Sequence, residues 1–241
     1  MNELALFAGA GGGILGGLLL GWRTRCAVEI APYARSVLLA RQQDGSLPAF
    51  PIWDDVRTFD GRLWRGSIEV VSGGFPCQPF SGASHGRRVA EDLWPEMRRI
   101  VEEVKTPWVF AENVDRKAVL RAGADLRSLG YRVRCARVSA AAVASPHRRV
   151  RYWVVANANG NRQSGLPLDA KVAGASIAAR NLWNAKPGAN ILGVDDGMAN
   201  RMVRLEALGN GQVPSVAALA WAALNEEPWP TTDRTDCVST G

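Results

Sequence analysis

Short apolar runs alternate along most of the chain with segments whose apolar residues recur every three or four positions. The first pattern is typical of buried strands and the second of helices that press one face against a core. The pattern predicts strands at 4–7, 26–30, 52–56, 70–72, 108–111, 131–135 and 152–155. It predicts helices at 14–20, 32–42, 91–104, 116–129 and 214–224. Because strands and helices alternate, we expect an α/β fold with a mostly parallel sheet and helices on both faces.

Neither period persists in residues 157–204, a stretch rich in alanine, glycine and asparagine. We interpret this stretch as an irregular insertion or a minimal second domain. Order returns at 205–225, where a Gly-Asn motif precedes a helix that Pro214 begins. The polar tail at 226–241 is expected to be disordered. The main domain is therefore expected to occupy residues 1–156.

A chain of 241 residues, 47% of them apolar and 22% charged, is long enough to bury a proper core as one domain with at most a small appendage. Its formal net charge is +6, and all but four of its 29 basic residues are arginine. Arginine suits bidentate recognition of phosphates and bases, so the charge allows a nucleic-acid partner without requiring one.

The four cysteines share no paired spacing; they are Cys26, Cys77, Cys135 and Cys237. We therefore expect no disulfide framework and no metal site, as in proteins of the reducing cytosol. The uncharged stretch 4–22 is nearly long enough to span a bilayer. It contains seven glycines and follows Glu3 rather than basic residues, so we expect neither a signal peptide nor a membrane helix.

A glycine-rich loop separates the first predicted strand from the first predicted helix and contains Gly11-x-Gly13-x-x-Gly16. Glu29 stands at the end of the second strand, twenty positions after Gly9. In a βαβ unit a carboxylate at that place binds the ribose hydroxyls of a nucleotide cofactor. The alternative is a tight turn beside a surface glutamate.

Cys77 follows the strand at 70–72 on a loop bounded by Pro76 and Pro79. Each proline fixes its own φ and biases the preceding residue towards extended conformations, so this loop has little freedom. A thiol at the carboxyl end of a parallel strand is well placed to act on a ligand. A buried structural cysteine in a proline turn explains the same residues, and this stretch alone does not decide between the two.

Polar and charged residues stand at the ends of two later strands. Glu112 and Asn113 directly follow the apolar strand at 108–111, so they are expected on the ligand side of the sheet. Arg149 and Arg151 alternate in an extended segment and therefore point to the same side. These residues provide an acid, an amide and two cations for the same region.

Together these motifs resemble the DNA (cytosine-5)-methyltransferase family, in the same order over residues 4–224. The matching stretches are Phe7-Ala8-Gly9-Ala10-Gly11-Gly12, Gly74-Phe75-Pro76-Cys77-Gln78-Pro79-Phe80-Ser81, Glu112-Asn113-Val114, Arg149-x-Arg151 and Gly209-Asn210-Gly211-Gln212-Val213-Pro214. The resemblance implies a Rossmann-like S-adenosylmethionine-dependent methyltransferase fold. It also implies a reduced target-recognition segment at 157–204 and a return of 205–225 to the catalytic domain.

The resemblance assigns catalytic roles to Cys77, Glu112, Asn113, Arg149 and Arg151. Carbon 5 of cytosine is a poor nucleophile until a thiolate adds at carbon 6, and Cys77 matches that thiolate. Glu112 matches the acid that protonates nitrogen 3, which requires a raised pKa, and Asn113 holds its loop in shape. Arg151 matches the cation beside oxygen 2, with Arg149 supporting it or the DNA backbone. The target base must first flip out of the duplex.

The resemblance also implies that S-adenosylmethionine is the cofactor and S-adenosylhomocysteine the product. The residues implied around the methionine part are Phe7, Ala8, Gly9, Gly11 and Gly12, with Pro76 nearby. Glu29 is implied on the ribose hydroxyls, and the adenine is flanked by Ile30, Asp55, Val56 and Leu93. Asn210, Gly211 and Gln212 are implied to close over the methionine carboxylate.

Seven residues are implied contacts to DNA: Gln78, Ser81, Ser84, His85, Arg87, Arg88 and His147. His147 stands where the family usually has glutamine. The cluster after Ser81 either contacts phosphate or forms a solvated run of charge. The segment before the Gly-Asn motif is shorter than is usual in the family and lacks its Arg-x-Leu-Thr-Pro-Arg-Glu motif. The chain therefore resembles the compact phage and prophage members.

We expect an enzyme that methylates carbon 5 of cytosine in double-stranded DNA, without a metal and without membrane association. It is expected to be a monomer in the cytosol of a bacterial host, on nucleoid DNA, with a cognate restriction endonuclease as a further partner. Methylation of transfer RNA and a degenerate member that only binds DNA remain as alternatives. A nicotinamide oxidoreductase explains the glycine loop and Glu29 but not the Cys77 loop.

Overall fold

The computed structural model describes residues 1–76, 91–140, 149–158 and 211–225, and the backbone of 237–239. The strands are β1 (Asn2–Leu6), β2 (Arg23–Val28), β3 (Ile52–Trp53), β4 (Val70–Gly74), β5 (Trp108–Asn113), β6 (Arg132–Ser139), β7 (Val150–Asn157) and β8 (Cys237–Ser239). The helices are α1 (Gly12–Leu19), α2 (Pro32–Gln43), α3 (Trp94–Val104), α4 (Arg116–Ser128) and α5 (Pro214–Asn225), with a 3₁₀ helix at Gly61–Trp64.

The described strands form one sheet in the order β3-β2-β1-β4-β5-β7-β6-β8. All neighbouring pairs are parallel except those of β7, which runs antiparallel to both β5 and β6. The carboxyl ends of β1, β4 and β5 therefore lie side by side at one edge of the sheet. The amino end of β7 reaches the same edge, because Asn113 of β5 is paired with Tyr152. The expected mostly parallel α/β sheet is confirmed.

Helices cover both faces of the sheet because its central strands are apolar on both sides. On one face α3 and α4 bury Met97, Ile100 and Leu126 against Leu4 and Val109. On the other face α1, α2 and α5 pack in two adjoining clusters. In the described residues no helix is both long and apolar enough to cross a membrane.

A cluster of five aromatic rings lies beneath α5. Trp221 of α5 makes edge contacts with Trp22, Trp108 and Phe110, at ring-centroid separations of 4.7, 5.3 and 5.4 Å. Phe110 in turn stacks on Trp153, 4.9 Å away. Large rings bury the most apolar surface per residue, so they fix α5 to β5 and β7. The last described helix is thereby part of the same core as the first strands.

α5 also lies directly against α1. A Cβ atom added at Gly16 would stand 2.8 Å from the Cβ of Ala217 and 3.0 Å from the carbonyl oxygen of Pro214. No side chain fits at that separation, so Gly16 permits the two helices to approach this closely. The amino end of α5 is consequently held beside the glycine loop.

The bounds of several elements differ from those expected. α1 begins at Gly12 rather than 14, because Gly11 takes a left-handed conformation at φ 92° and allows the helix to start at once. α3 begins at Trp94 rather than 91, because the Asp92 carboxylate accepts a hydrogen bond from the Trp94 amide and Pro95 follows. β6 and β7 are longer than expected because they pair along their whole lengths.

The tail expected to be disordered at 226–241 contains one ordered element. Cys237–Ser239 forms β8, parallel to β6, with Cys237 in register with Cys135. β6 would otherwise be an edge strand with unpaired backbone groups, and such an edge recruits another strand. The other residues of 226–241 lie outside the described residues, so the expectation of disorder stays a prediction.

A carboxyl group that the sequence analysis does not identify lies in the middle of the sheet. Glu3 of β1 is 1% exposed, and its two oxygens accept hydrogen bonds from Thr24 Oγ1 of β2 and Ser72 Oγ of β4, at 2.7 and 2.6 Å. Burial raises the pKa of Glu3 to about 7, although the two hydroxyl groups oppose the rise. Between pH 4.5 and about 7, Glu3 is therefore mostly protonated in the folded protein and mostly ionised in the unfolded chain.

We expect Glu3→Gln to stabilise the protein at pH 8 relative to the unmodified chain. Between pH 4.5 and about 7 the folded state binds more protons at Glu3 than the unfolded state, so stability falls as pH rises through that window. The gain is at most about 3 kcal/mol, because one pKa unit corresponds to about 1.4 kcal/mol. Urea unfolding at pH 5 and pH 8 measures it.

Glu102→Gln on α3 is the matched control, since it removes an exposed carboxyl far from the sheet. The difference in unfolding free energy between Glu3→Gln and wild type is expected to grow from pH 5 to pH 8. A difference that stays constant with pH would contradict a buried, protonated Glu3.

Candidate active site

A cleft opens at the carboxyl ends of β1, β4 and β5, where the amino end of α5 closes one side. Its lining consists of Ala5, Leu6, Phe7, Ala8, Gly9, Gly13, Ile14, Ser72, Gly73, Gly74, Glu112, Gly211 and Gln212. The structure thus brings together residues from three separate motifs: the glycine loop, Glu112 and the Gly211-Gln212 pair. Ser72 and Gly73 were missed by the sequence analysis because their positions look like ordinary strand interior.

The glycine loop is held by the carboxylate of Glu29. Its Oε2 accepts a hydrogen bond from the Gly9 amide and its Oε1 accepts one from the Ala31 amide, each at 2.7 Å. Three residues of the loop have positive φ: Phe7 at 52°, Gly9 at 53° and Gly11 at 92°. Such a loop needs an external anchor because non-glycine residues rarely adopt this conformation. Glu29 anchors it and retains one lone pair on each oxygen for a ligand.

The four residues expected around an adenine lie in different parts of the structure. Ile30 is 56% exposed and follows Glu29 at the end of β2. Val56 and Leu93 are buried in the core on the α3 side of the sheet. The Asp55 carboxylate accepts hydrogen bonds from the amide and the guanidinium of Arg57, at 2.9 and 3.2 Å. None of the four is among the residues that line the cleft.

Both sides of the segment that carries Cys77 are fixed to the fold. The Leu93 amide donates a hydrogen bond to the Pro76 carbonyl oxygen at 3.2 Å. Asn113, which is 3% exposed, donates from Nδ2 to the Phe75 carbonyl oxygen at 2.7 Å and accepts at Oδ1 from the Asp115 amide. Asn113 therefore ties the end of β5 to the end of β4.

Glu112 presents a buried carboxyl group to the cleft. It is 6% exposed, and Oε1 lies 2.9 Å from Nε of Arg151, while Oε2 accepts a long hydrogen bond of 3.4 Å from Nε2 of Gln212. The Arg151 N–H does not point at Oε1, so the two groups form an ion pair and this oxygen lacks an aligned hydrogen bond from the described residues. Oε1 is itself buried.

Burial raises the pKa of Glu112 above its ordinary value. The positive charge of Arg151, the hydrogen bond from Gln212 and the charge of Arg149 act in the opposite direction. A carboxyl with a raised pKa can hold a proton nearer neutral pH and donate it, as a general acid must. Desolvation and a nearby cation in the same cleft are typical of a functional site.

The two arginines before and within β7 have separate partners. Arg151 lies beside Glu112 and also donates from Nη1 to the Val150 carbonyl oxygen at 2.9 Å. Arg149 donates from Nη2 to the Gly211 carbonyl oxygen at 2.6 Å. Arg149 therefore fixes the Gly-Asn motif to the sheet, which the sequence analysis did not anticipate.

The glycines of the loop leave room for Gln212. A Cβ atom at Gly12 would stand 2.0 Å from the Gln212 carbonyl oxygen, and one at Gly13 would stand 2.4 Å from its Oε1. A Cβ atom at Gly74 would stand 2.8 Å from Oε2 of Glu112. The absence of a side chain at Gly12 leaves room for the Gln212 backbone, and its absence at Gly74 leaves room for the Glu112 carboxyl. A Cβ atom at Gly11 would stand 2.9 Å from the Leu38 side chain.

Nine of the expected site residues lie outside the described residues: Cys77, Gln78, Ser81, Ser84, His85, Arg87, Arg88, His147 and Asn210. Their roles stay predictions. Within the described ranges no group of three or more histidine, cysteine, aspartate or glutamate residues is arranged to hold a metal ion.

Comparison with known proteins identifies relatives over much of the chain. The profile of the family described as C-5 cytosine-specific DNA methylase matches residues 1–187. Type II methyltransferase M.PspPI of Psychrobacter is 35% identical over an alignment of 140 positions that covers 53% of this chain and 32% of that protein. Type II methyltransferase M1.HphI of Haemophilus parahaemolyticus is 31% identical over an alignment of 177 positions that covers 66% of this chain and 46% of that protein. The matched region thus spans less than half of either relative.

Solved structures agree with this relationship. A DNA modification methyltransferase encoded within an Escherichia coli prophage superposes with a TM-score of 0.51 at 25% identity, over 65% of this chain and 46% of that one. Schizosaccharomyces pombe Dnmt2 methyltransferase superposes with a TM-score of 0.54 at 20% identity, over 73% and 55%, which shows a shared fold. From the match of residues 1–187 to the family profile, the chain belongs to the C-5 cytosine-specific DNA methylase family.

Proposed function

We propose that the protein transfers a methyl group from S-adenosylmethionine to carbon 5 of cytosine in DNA, through a covalent bond between Cys77 and carbon 6. The observation that carries this proposal is the buried Glu112 carboxyl, paired with Arg151 in the cleft that the glycine loop also lines. Addition to a pyrimidine ring requires an acid that protonates a ring nitrogen and a cation beside the ring oxygen, and Glu112 with its raised pKa and Arg151 are such a pair.

The cleft suits the proposed cofactor. Phe7, Ala8 and Gly9 line it, and Glu29 lies at the adjoining strand end with an acceptor site left on each oxygen. Two hydroxyl groups of a ribose can occupy such sites. When bound there, S-adenosylmethionine supplies an electrophilic methyl group on a sulfonium centre. Gly73 and Gly74 of β4 contribute only backbone atoms to the lining.

Cys77 is the proposed nucleophile because it directly follows Pro76, whose carbonyl is fixed by Leu93. Its thiolate adds to carbon 6 of the flipped cytosine and the ring electrons move towards nitrogen 3 and carbon 5. Glu112 donates its proton at nitrogen 3, and Arg151 offsets the negative charge that develops on oxygen 2. After carbon 5 is methylated, its proton passes to a water molecule acting as base, the electron pair of that C–H bond expels the Cys77 thiolate, and the nitrogen 3 proton returns to the Glu112 carboxylate, which restores the aromatic base.

The charge of +6 supports a polyanionic substrate, and the type II methyltransferases among the relatives support DNA. Those relatives also support a role beside a cognate restriction endonuclease. We propose that residues 157–204 form the reduced recognition segment and that the DNA contacts are those expected at Gln78, Ser81, Ser84 and on the loop that follows.

We expect Cys77→Ser to abolish the covalent complex that the protein forms with duplex DNA containing 5-fluorocytosine. Fluorine at carbon 5 cannot leave as a cation, so the enzyme stays attached after attack by the thiolate. The complex is measured by gel electrophoresis under denaturing conditions in the presence of cofactor.

Cys26→Ser is the matched control. Cys26 is 2% exposed and burial raises the pKa of its thiol to about 11, so it is unreactive at neutral pH. The control is expected to trap DNA as wild type does. Trapping by Cys77→Ser at the wild-type level would contradict the proposed nucleophile, and no trapping by any form would favour a member that only binds DNA.

A second pair of variants separates chemistry from cofactor binding. Glu112→Gln is expected to lower kcat about 10²- to 10⁴-fold with little change in the Kd for S-adenosylmethionine, since it removes only the acid. Glu29→Gln is expected to weaken cofactor binding by about tenfold or more, because an amide presents only one acceptor oxygen to Gly9, Ala31 and the ribose. Calorimetry and single-turnover methyl transfer measure the two effects.

The substrate is tested by incubating the protein and labelled cofactor with duplex DNA or with transfer RNA. We expect transfer to DNA, and bisulfite sequencing of that DNA then gives the recognised site. Transfer to transfer RNA alone would replace the proposed substrate while leaving the assignment of Cys77 and Glu112 intact.

A further inference from the structure

Gln212 joins two parts of the cleft that the sequence separates. Its backbone carbonyl lies against Gly12, and its side-chain Oε1 faces Gly13 at the start of α1. At the other end of the carboxamide, Nε2 faces Gly74 and reaches Oε2 of Glu112 at 3.4 Å. The side chain therefore crosses from the glycine loop to the carboxyl group at the end of β5.

The position of Gln212 is determined by its neighbours. Arg149 binds the carbonyl oxygen of Gly211 at 2.6 Å and so fixes the residue just before it. Val213 accepts the first backbone hydrogen bonds of α5, from the amides of Val216 and Ala217 at 3.0 Å each. Because the backbone is fixed on both sides of Gln212, only the side chain loses conformational freedom when Gln212 contacts Glu112.

The Glu112 carboxyl has one described partner on each oxygen. Arg151 stands 2.9 Å from Oε1 and Gln212 donates to Oε2. Two contacts on opposite oxygens fix the plane of the carboxyl group, whereas one would leave it free to rotate about its terminal bond. Among the described residues, the charged groups that face Glu112 are Arg151 and Arg149, both from the β7 side, and neither can accept a proton from it.

We propose that Gln212 is a positioning residue for Glu112, holding the orientation of its carboxyl group and favouring its ionised form, in addition to the contact with cofactor expected of this residue. The proposal rests on the proposed function insofar as Glu112 is the acid of the reaction. A hydrogen bond to the carboxylate stabilises the charged form, and its loss is felt only by a group that titrates.

The test replaces Gln212 with methionine, which has a similar length but no donor. In protein labelled with ¹³C at glutamate carboxyls, the Glu112 signal is identified by its loss in Glu112→Gln. We expect Gln212→Met to move the titration of that signal to higher pH and to move the alkaline limb of the kcat profile in the same direction. The maximal kcat is expected to fall about tenfold, as for loss of one hydrogen bond to a charged group.

Gln42→Met is the matched control, because Gln42 lies on α2 and does not line the cleft. Its side-chain amide donates a hydrogen bond to the Phe50 carbonyl oxygen. It is expected to leave the Glu112 titration and kcat unchanged. An unchanged Glu112 titration in Gln212→Met would overturn the proposal. So would a large rise in the Kd for S-adenosylmethionine with no shift in pH dependence, which would leave Gln212 with a cofactor contact alone.

The two proposals fail separately. Absence of methyl transfer by the wild-type protein would contradict the proposed function, yet the carboxyl titration still reports whether Gln212 acts on Glu112. Normal transfer in Gln212→Met, with the wild-type pH profile, would overturn the role of Gln212 and leave the proposed function standing.

Discussion

The approach of α5 to α1 is the contact on which the cleft depends. The backbone of Gln212 lies so close to Gly12 that a single methyl group there would overlap its carbonyl oxygen, and Gly16 has the same relation to Ala217. These contacts place the end of the described chain against its beginning. Without them the cleft would lack the wall that carries Gly211 and Gln212, and Glu112 would lose one of its two partners.

The approach of α5 to α1 also affects the charge state of Glu112. A carboxyl at the end of an open parallel sheet is ordinarily solvated, but Glu112 is enclosed by β4, β7 and the start of α5. Burial favours its neutral form while Arg151 favours its charged form, and the balance leaves the pKa raised. Glu3 is a second case, where hydrogen bonds from Ser72 and Thr24 and the charge of the amino terminus oppose the rise in pKa, yet burial dominates.

The elements were largely predictable from the sequence because buried parallel strands are short apolar runs and helices repeat every three to four residues. The order of the strands was not, since pairing joins residues far apart in the chain. Some residues of the site were likewise predictable and others were not. Glu29 and Glu112 could be singled out from their places at strand ends; the structure places Glu112 in the lining of the cleft and Glu29 against the Gly9 amide, and their roles stay predictions.

Other site features depended on contacts that no local pattern contains. Glu112 and Gln212 are 100 positions apart, and Arg149 and Gly211 are 62 positions apart. Glu3 was read only as a charge that argues against a signal peptide, although it is the buried partner of Ser72 on a neighbouring strand. Helix starts were misplaced for a local reason, because the conformations of Gly11 and Asp92 decide them and apolar periodicity does not report on either.

The anchoring of the chain on both sides of residues 159–210 has a consequence for how such proteins diversify. The Ala158 amide binds the Pro107 carbonyl oxygen at one edge of the sheet, and Arg149 holds Gly211 at the other. The exit is therefore held by a backbone hydrogen bond and the return by the Arg149 side chain, and both contacts are made by residues outside 159–210. Doubling the length of a connection costs only about 0.6 kcal/mol in closure entropy. Connections of very different length can therefore join these two anchors while the sheet and the cleft stay unchanged.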